Sequence, residues 1–169
     1  MSDEKHIELY KKYRPNTWEG LVGQQKVAKS LQGAVLANKV PTAFLFSGTH
    51  GTGKTSAALI LAKAINCLDP QKNGDPCNTC EVCESIDNGT QLGVTYFSAA
   101  NKSSVDDVRE LVISARLRQP VKRQVFIIDE VHNYRSGKGF EALLSPLEAT
   151  DMPAVVILCT TEIEKVPQT

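Results

Sequence analysis

The segment Gly48-Thr49-His50-Gly51-Thr52-Gly53-Lys54-Thr55 has the residue types and spacing for phosphate binding. It fits G-x-x-x-x-G-K-[ST], in which the glycines let the backbone wrap so that its N–H groups point inward, and a following helix adds its N-terminal dipole. In that reading Gly48, Gly51, Thr52 and Gly53 shape the loop, Lys54 reaches the outer phosphates, and the Thr55 hydroxyl holds Mg²⁺. The bland alternative is a Gly-rich turn with an incidental lysine. The strand pattern before it and the helical pattern after it argue against that alternative. A second constellation, Val125-Phe126-Ile127-Ile128-Asp129-Glu130, runs four apolar residues into two carboxylates. Such a strand delivers its acids at the carboxyl edge of an open α/β sheet, where ligands bind. Asp129 is then placed to hold the magnesium shell and Glu130 to polarise an attacking water, a pairing that favours hydrolysis over phosphoryl transfer. His132, a lone histidine after a strand, reads first as a solvated or packing residue.

Cys67, Cys77, Cys80 and Cys83 follow the spacing C-x₉-C-x₂-C-x₂-C. Four thiolates in a short polar segment suit tetrahedral zinc, which would supply the core that this loop lacks. An iron–sulfur cluster shares the C-x₂-C-x₂-C run, and unpaired structural thiols are the bland reading. Cys159 falls in an apolar strand pattern and reads as a small buried hydrophobe. Thr160 and Thr161 close that same strand; a polar residue there can sense a terminal phosphate, although on position alone strand-end capping is the better account. Arg116, Arg118, Lys122 and Arg123 form a basic cluster, and Lys102 precedes a helix start. Either could touch a phosphate backbone, but charges at a helix end are usually solvated and need no nucleic acid to explain them.

These residues need a scaffold. Val27, Leu31, Ala34 and Val35 predict one helical face over Gln25 to Asn38, and Pro41 restarts the chain. Ala43-Phe44-Leu45-Phe46 reads as a fully buried strand, and Thr55 to Asn66 as a helix buried against a sheet. The polar stretch from Cys67 to Gly93 shows little apolar period. Val94-Thr95-Tyr96-Phe97 is a second strand, and Ser104-Val105-Asp106-Asp107 a capping box opening a helix whose apolar face is Val105, Val108, Val112 and Ala115. Val125–Ile128 and Ala154–Leu158 are the third and fourth strands, with a helix over Phe140 to Glu148 that Pro146 should kink or start. Alternating strands and helices indicate an α/β fold with a parallel sheet covered on both faces.

Length and composition agree with one soluble domain. The 169 residues suffice for a well-buried core, and 41% hydrophobic with 22% charged residues exclude collagen-like, disordered or fibrous chains. Nineteen basic and nineteen acidic residues balance, so overall charge points to neither a nucleic-acid nor a membrane-surface protein. No apolar run is long enough to span a bilayer and the start has no secretory core, which makes a cytoplasmic setting with reduced cysteines the expectation and a membrane partner unexpected.

Taken in order, these blocks resemble the nucleotide-binding domain of the bacterial DNA polymerase III gamma/tau family, AAA+ ATPases of sliding-clamp loaders. The resemblance covers Leu9 to Thr161. It is carried by Lys12-Tyr13-Arg14-Pro15 with Val22-Gly23-Gln24, Leu45 to Ser56, Ala62 to Cys67 with the three later cysteines, Ile128 to His132, Ala142-Leu143-Leu144 and Thr160-Thr161. It implies a P-loop AAA+ domain over 1–169 with an inserted zinc module at 67–83. It further implies that Tyr13, Arg14, Val22 and Gly23 surround adenine and that Gly51, Gly53, Lys54, Thr55 and Ser56 bind phosphates. Asp129 and Glu130 become the metal and catalytic acids, and Thr160 the first sensor. The implied cofactors are ATP, Mg²⁺ and Zn²⁺. The implied partners are the other clamp-loader subunits of a five-membered ring, like or unlike this one, the sliding clamp and primer-template DNA, along whose backbone the helix near Ser104 would lie.

The chain departs from the family in several places. His50 replaces an arginine, and Tyr96-Phe97-Ser98 stands where acidic residues are usual. One extra residue precedes Phe140, and Ser145-Pro146 and Glu148-Ala149 replace usual neighbours, as in a divergent or phage-encoded relative. After Val166-Pro167 the family continues into a Ser-Arg-Cys segment, a fifth strand, a helical lid and a collar. The sequence stops before them, which implies weak ATP binding and slow turnover in isolation. Two other readings belong beside this one: a nucleotide-binding scaffold of the same ring without hydrolysis, and a helicase or another P-loop ATPase, since Asp-Glu-x-His also occurs there. The cysteine module argues against the last.

Overall fold

The computed structural model describes residues 13–100, 106, 107, 110, 113, 117, 119–134 and 154–166. Helix α1 (Gln25–Leu36) leads to strand β1 (Ala43–Ser47), the glycine loop and helix α2 (Lys54–Asn66). A short helix α3 (Glu81–Asp87), then β2 (Val94–Ser98), β3 (Gln124–Asp129) and β4 (Ala154–Thr160), follow. All pairings are parallel, in the order β1-β4-β3-β2.

Alternation along β3 and β4 divides the core. Val125, Ile127, Val155, Ile157 and Cys159 face α1 and α2 in one cluster with Ala58, Ile60 and Leu61. Phe126, Ile128, Val156 and Leu158 face the other way, against Ala99, Val131 and Tyr134. Each fully buried Val or Ile here contributes about 1.5–3 kcal/mol, which makes these two strands the rigid centre that carries the site.

Four details differ from the sequence expectations. First, β1 is not buried throughout: Leu45 is 45% exposed, because among the described residues β1 is one of the two edge strands, paired only with β4. Second, α1 buries Ala28 and Leu31 and leaves Val27 largely exposed, so its buried face is rotated by about one residue. Third, the polar cysteine segment does contain a helix, α3, whose Val82, Cys83 and Ile86 are buried. Fourth, β3 runs one residue further at each end than expected, from Gln124 to Asp129, whereas β4 ends at Thr160 as the strand-closing threonines suggested. The helix opening at Ser104 lies largely outside the described residues, Asp106 and Asp107 being helical. The helix over Phe140 to Glu148, together with Lys102, Arg116 and Arg118, lies wholly outside them.

Lys63 is the unexpected core residue. It sits on α2 with a side chain 2% exposed, and its ammonium donates to Asn78 Oδ1 at 2.7 Å and pairs with Asp87 at 3.0 Å. A buried ammonium is tolerated only when paired, so Lys63 fastens the cysteine segment to the helix that follows the glycine loop. Replacing Lys63 by Met, which removes the charge and strands Asn78, should cost roughly 1–3 kcal/mol in a urea unfolding titration, less than a fully buried pair because Asp87 remains half exposed.

Candidate functional site

The glycine loop leaves β1 at Ser47 and enters α2 at Lys54. Gly51 (φ 79°) and Gly53 (φ 88°) take left-handed conformations that favour glycine, which turns the loop sharply enough to aim the start of α2 into the cleft. Lys54 lies across the loop, its ammonium donating to the carbonyls of Gly48 at 2.7 Å and Thr49 at 3.0 Å. An entering phosphate therefore competes with neutral carbonyls for a charge already positioned at the mouth. Tyr13, Arg14, Pro15, His50, Gly51, Gly53, Lys54, Thr55, Ser56, Asp129 and Glu130 line a cleft of about 350 Å³. Gly48 and Thr52 border a second hollow on the other side of the loop, with Thr52 Oγ1 donating to the Thr49 carbonyl at 2.9 Å.

Across the cleft, Thr55 Oγ1 donates to Asp129 Oδ2 at 2.8 Å. Two oxygen ligands on neighbouring corners of an octahedron around Mg²⁺ lie about 3.0 Å apart at a bond length near 2.1 Å, so this pair fits the ion. The remaining bonds orient the carboxylate: Tyr96 OH donates to Asp129 Oδ2 at 2.9 Å and the Glu130 N–H to Oδ1 at 2.9 Å. Burial first, then the Asp129 charge, pushes the Tyr96 phenol up and keeps it a donor. Tyr96 is a site residue that the sequence reading noticed only as a departure. Its signal was its place two residues before the end of a strand adjacent to β3.

Glu130 takes a left-handed backbone conformation, φ 52°. For a non-glycine residue this costs on the order of 1–3 kcal/mol and is typical of functional positions. Its carboxylate accepts from Thr161 Oγ1 at 3.1 Å and lies 3.3 Å from His132 Nδ1 and 3.8 Å from the exposed His50. His132 is therefore more than a packing residue: its ring is 11% exposed and also meets Thr160 Oγ1 at 3.1 Å and Glu162 at 3.2 Å. Thr160 is fully buried and caps the Glu162 N–H at 3.0 Å, so the capping reading of that threonine holds alongside its link to Glu130 through His132. Val22 is 87% exposed, and neither it nor Gly23 lines the cleft, whereas Tyr13 and Arg14 do.

The four cysteines converge, their sulfur atoms all within 4.8 Å of one another and none in a disulfide. A tetrahedron with metal–sulfur bonds of 2.3 Å has edges of about 3.8 Å, so sulfur atoms within 4.8 Å of one another need only a small contraction to hold zinc. The Cys80 N–H donates to Cys77 Sγ and the Cys77 N–H to Cys67 Sγ, both at 3.3 Å, as thiolate ligands require. The backbone N–H of Thr79, above all, draws the Cys77 thiol down to about 6. Burial pushes Cys67 and Cys83 up, so these two ionise when a cation compensates them. Half of the basic cluster is committed nearby, Lys122 donating to the Cys67 carbonyl and Arg123 to the Val40 carbonyl at 2.7 Å. Cys159 is buried, and burial first, then Asp129, raises its thiol to about 12, as expected of an inert core residue.

Residues 23–169 match a family model described as DNA polymerase III, delta subunit. The chain is 43% identical over 95% of its length to the DNA polymerase III subunit tau of Bacillus subtilis, and 39% identical over 97% to the gamma/tau subunit of Mycoplasma genitalium. It spans 28% and 27% of those proteins. The family description and the relatives' names agree on the polymerase and differ on the subunit, and the similarity over 95–97% of this chain is to the tau and gamma/tau subunits. In fold, the chain is similar to a Thermotoga maritima RuvB structure (TM-score 0.61, 20% identity, 92% of this chain and 44% of that one). It is also similar to the FIGL-1 AAA domain in complex with ADP (TM-score 0.55, 18% identity, 99% and 59%). The fold is that of AAA+ P-loop ATPases.

The sulfur geometry is open to a direct check. Chain purified without chelator should carry about one zinc per molecule by elemental analysis, falling below half in Cys67→Ser and Cys83→Ser; iron in place of zinc would reassign the cluster.

Proposed function

We propose, from the premise that this chain belongs to the gamma/tau family of DNA polymerase III subunits, that it binds and hydrolyses ATP within a clamp loader. The observation that supports this most is the meeting of Thr55 and Asp129 at 2.8 Å in the cleft that Lys54 also lines, with Glu130 as the next residue. Residues 1–169 act as the nucleotide-binding domain and 67–83 as an inserted zinc module, its thiolates Cys67, Cys77, Cys80 and Cys83.

In the proposed reaction, water attacks the terminal phosphate in line with the leaving diphosphate. Glu130 accepts a hydrogen bond from that water and orients it, while Thr161 and His132 hold the carboxylate at the rim of the cleft. Lys54 and the loop N–H groups take up the charge that develops on the phosphate oxygens. Mg²⁺, when bound, supplies further charge neutralisation, with Thr55 and Asp129 holding its shell. Tyr13 and Arg14 form the wall against the base, and Ser56 lies at the phosphate end. Thr160 reports the state of the phosphate through His132. The work done with this energy is opening and closing a sliding clamp on primer-template DNA, in a ring with other clamp-loader subunits.

A scaffold subunit that binds nucleotide without turnover would use the same loop and make no use of Glu130. Lys54→Ala should weaken ATP binding by roughly 10- to 100-fold, the worth of a charge-assisted contact. Glu130→Gln should retain ATP and lose turnover by about 100-fold or more. Both are read by equilibrium binding and phosphate release in the assembled complex; equal turnover in Glu130→Gln would remove Glu130 from its role, and a parent that binds ATP without releasing phosphate would favour the scaffold.

A further inference from the structure

We propose that Asn78 and Trp18 are positioning residues for the nucleotide cleft, through which metal loading of the cysteine module and nucleotide binding strengthen each other. The inference rests on the phosphate-site and zinc readings above. It begins at Asn78, which lies between Cys77 and Cys80 in a left-handed conformation, φ 62°. The sulfur-directed N–H of Cys80 closes that turn. The Asn78 amide then faces two elements at once, Oδ1 accepting from Lys63 of α2 at 2.7 Å and Nδ2 donating to the Asn16 carbonyl at 3.1 Å.

The cysteine loop also takes hold of Trp18 twice. The Trp18 N–H donates to Asp75 Oδ1 at 2.8 Å, and its indole Nε1–H donates to the Gly74 carbonyl at 2.9 Å. Asp75 is itself steadied by Asn73 at 2.8 Å. The indole is 3% exposed and belongs to the core cluster of α1 and α2.

The stretch held this way is a wall of the nucleotide cleft. Tyr13, Arg14 and Pro15 line it, and Leu21 closes over the phosphate loop, where a side-chain carbon on Gly53 would lie 3.5 Å from Leu21 Cδ2. Without metal, four thiol groups in a polar segment cannot hold one arrangement, and the acceptors at Gly74, Asp75 and Asn78 disperse. The wall then loses its anchors and must be ordered by the nucleotide itself, which weakens binding. By linkage, nucleotide tightens the metal site by the same factor.

Trp18 is the single tryptophan of the chain, so its fluorescence reads this brace directly. The experiment compares ADP affinity by equilibrium dialysis, and zinc affinity by competition with a chromophoric chelator, in the zinc-loaded chain, the stripped chain, and zinc-loaded Trp18→Phe and Asn78→Gly. Trp18→Phe keeps a smaller aromatic ring and loses the indole donor; Asn78→Gly keeps the turn and loses the amide's hydrogen bonds to Lys63, Asn16 and Pro76. Stripping should red-shift the Trp18 emission and weaken ADP binding roughly fivefold or more, with zinc affinity raised by the same factor under saturating ADP. Both variants should show part of that loss with zinc content and circular dichroism unchanged. Equal ADP affinity in the stripped chain and both variants overturns the inference. Should the stripped chain unfold, unchanged ADP affinity in the two variants overturns it by itself. A zinc-loaded parent that binds no ADP overturns the phosphate-site reading together with the inference, a result distinguishable from loss of coupling alone.

Discussion

Everything at the site depends on the Thr55 hydroxyl reaching the Asp129 carboxylate at 2.8 Å. Thr55 belongs to the helix that follows β1, and Asp129 ends β3. The contact forms only because β4 lies between those strands and all run the same way, bringing their carboxyl ends to one edge. Two crossovers must place β1 and β3 on either side of a strand that comes later in the sequence. The apolar burial of β3 and β4 on both faces makes that arrangement rigid. A parallel sheet thus sets the relative positions of the glycine loop, Asp129 and Glu130 at one edge.

Around that edge the polar groups form a connected set. Asp129 is held by Thr55, Tyr96 and the Glu130 N–H, and Glu130 by Thr161 and His132, which in turn meets Thr160 and Glu162. The strained backbone of Glu130 is compensated by this set, since it carries the carboxylate out of the strand direction and into the cleft. Tyr96 adds a neutral donor where a further carboxylate would add charge. The Asp129 side chain is oriented here by hydrogen bonding and not by repulsion.

The cysteine module is built into the domain and does not hang from it. Lys63 ties it to α2, Lys122 to the approach of β3, and Trp18 and Asn16 tie it to the segment that walls the cleft. A polar loop with few apolar side chains obtains its order from sulfur geometry and from these bonds, with α3 contributing only Val82 and Ile86 beside the buried Cys83. That placement sets the cysteine segment against the stretch whose Tyr13, Arg14 and Pro15 line the cleft.

The fold class, the loop, the two acids and the cysteine set were all legible in the amino-acid order, because each depends on local spacing: glycine and lysine around a turn, acids at a strand end, thiols two residues apart. Spacing could not reveal the role of β1 as an outer strand, because a short apolar run looks the same in the middle of a sheet as at its side. It also could not reveal α3, whose seven residues are too few to show a period among Asp, Asn and Gly. The burial of Lys63, the Tyr96 contact, the position of His132 between Glu130 and Thr160, and the exposure of Val22 depend on which elements become neighbours. Sequence by itself determined the chemical groups and their local conformations. Tertiary structure alone decided which of them meet, because a hydrogen bond between residues 74 positions apart exists only once the strands that carry them are stacked in order.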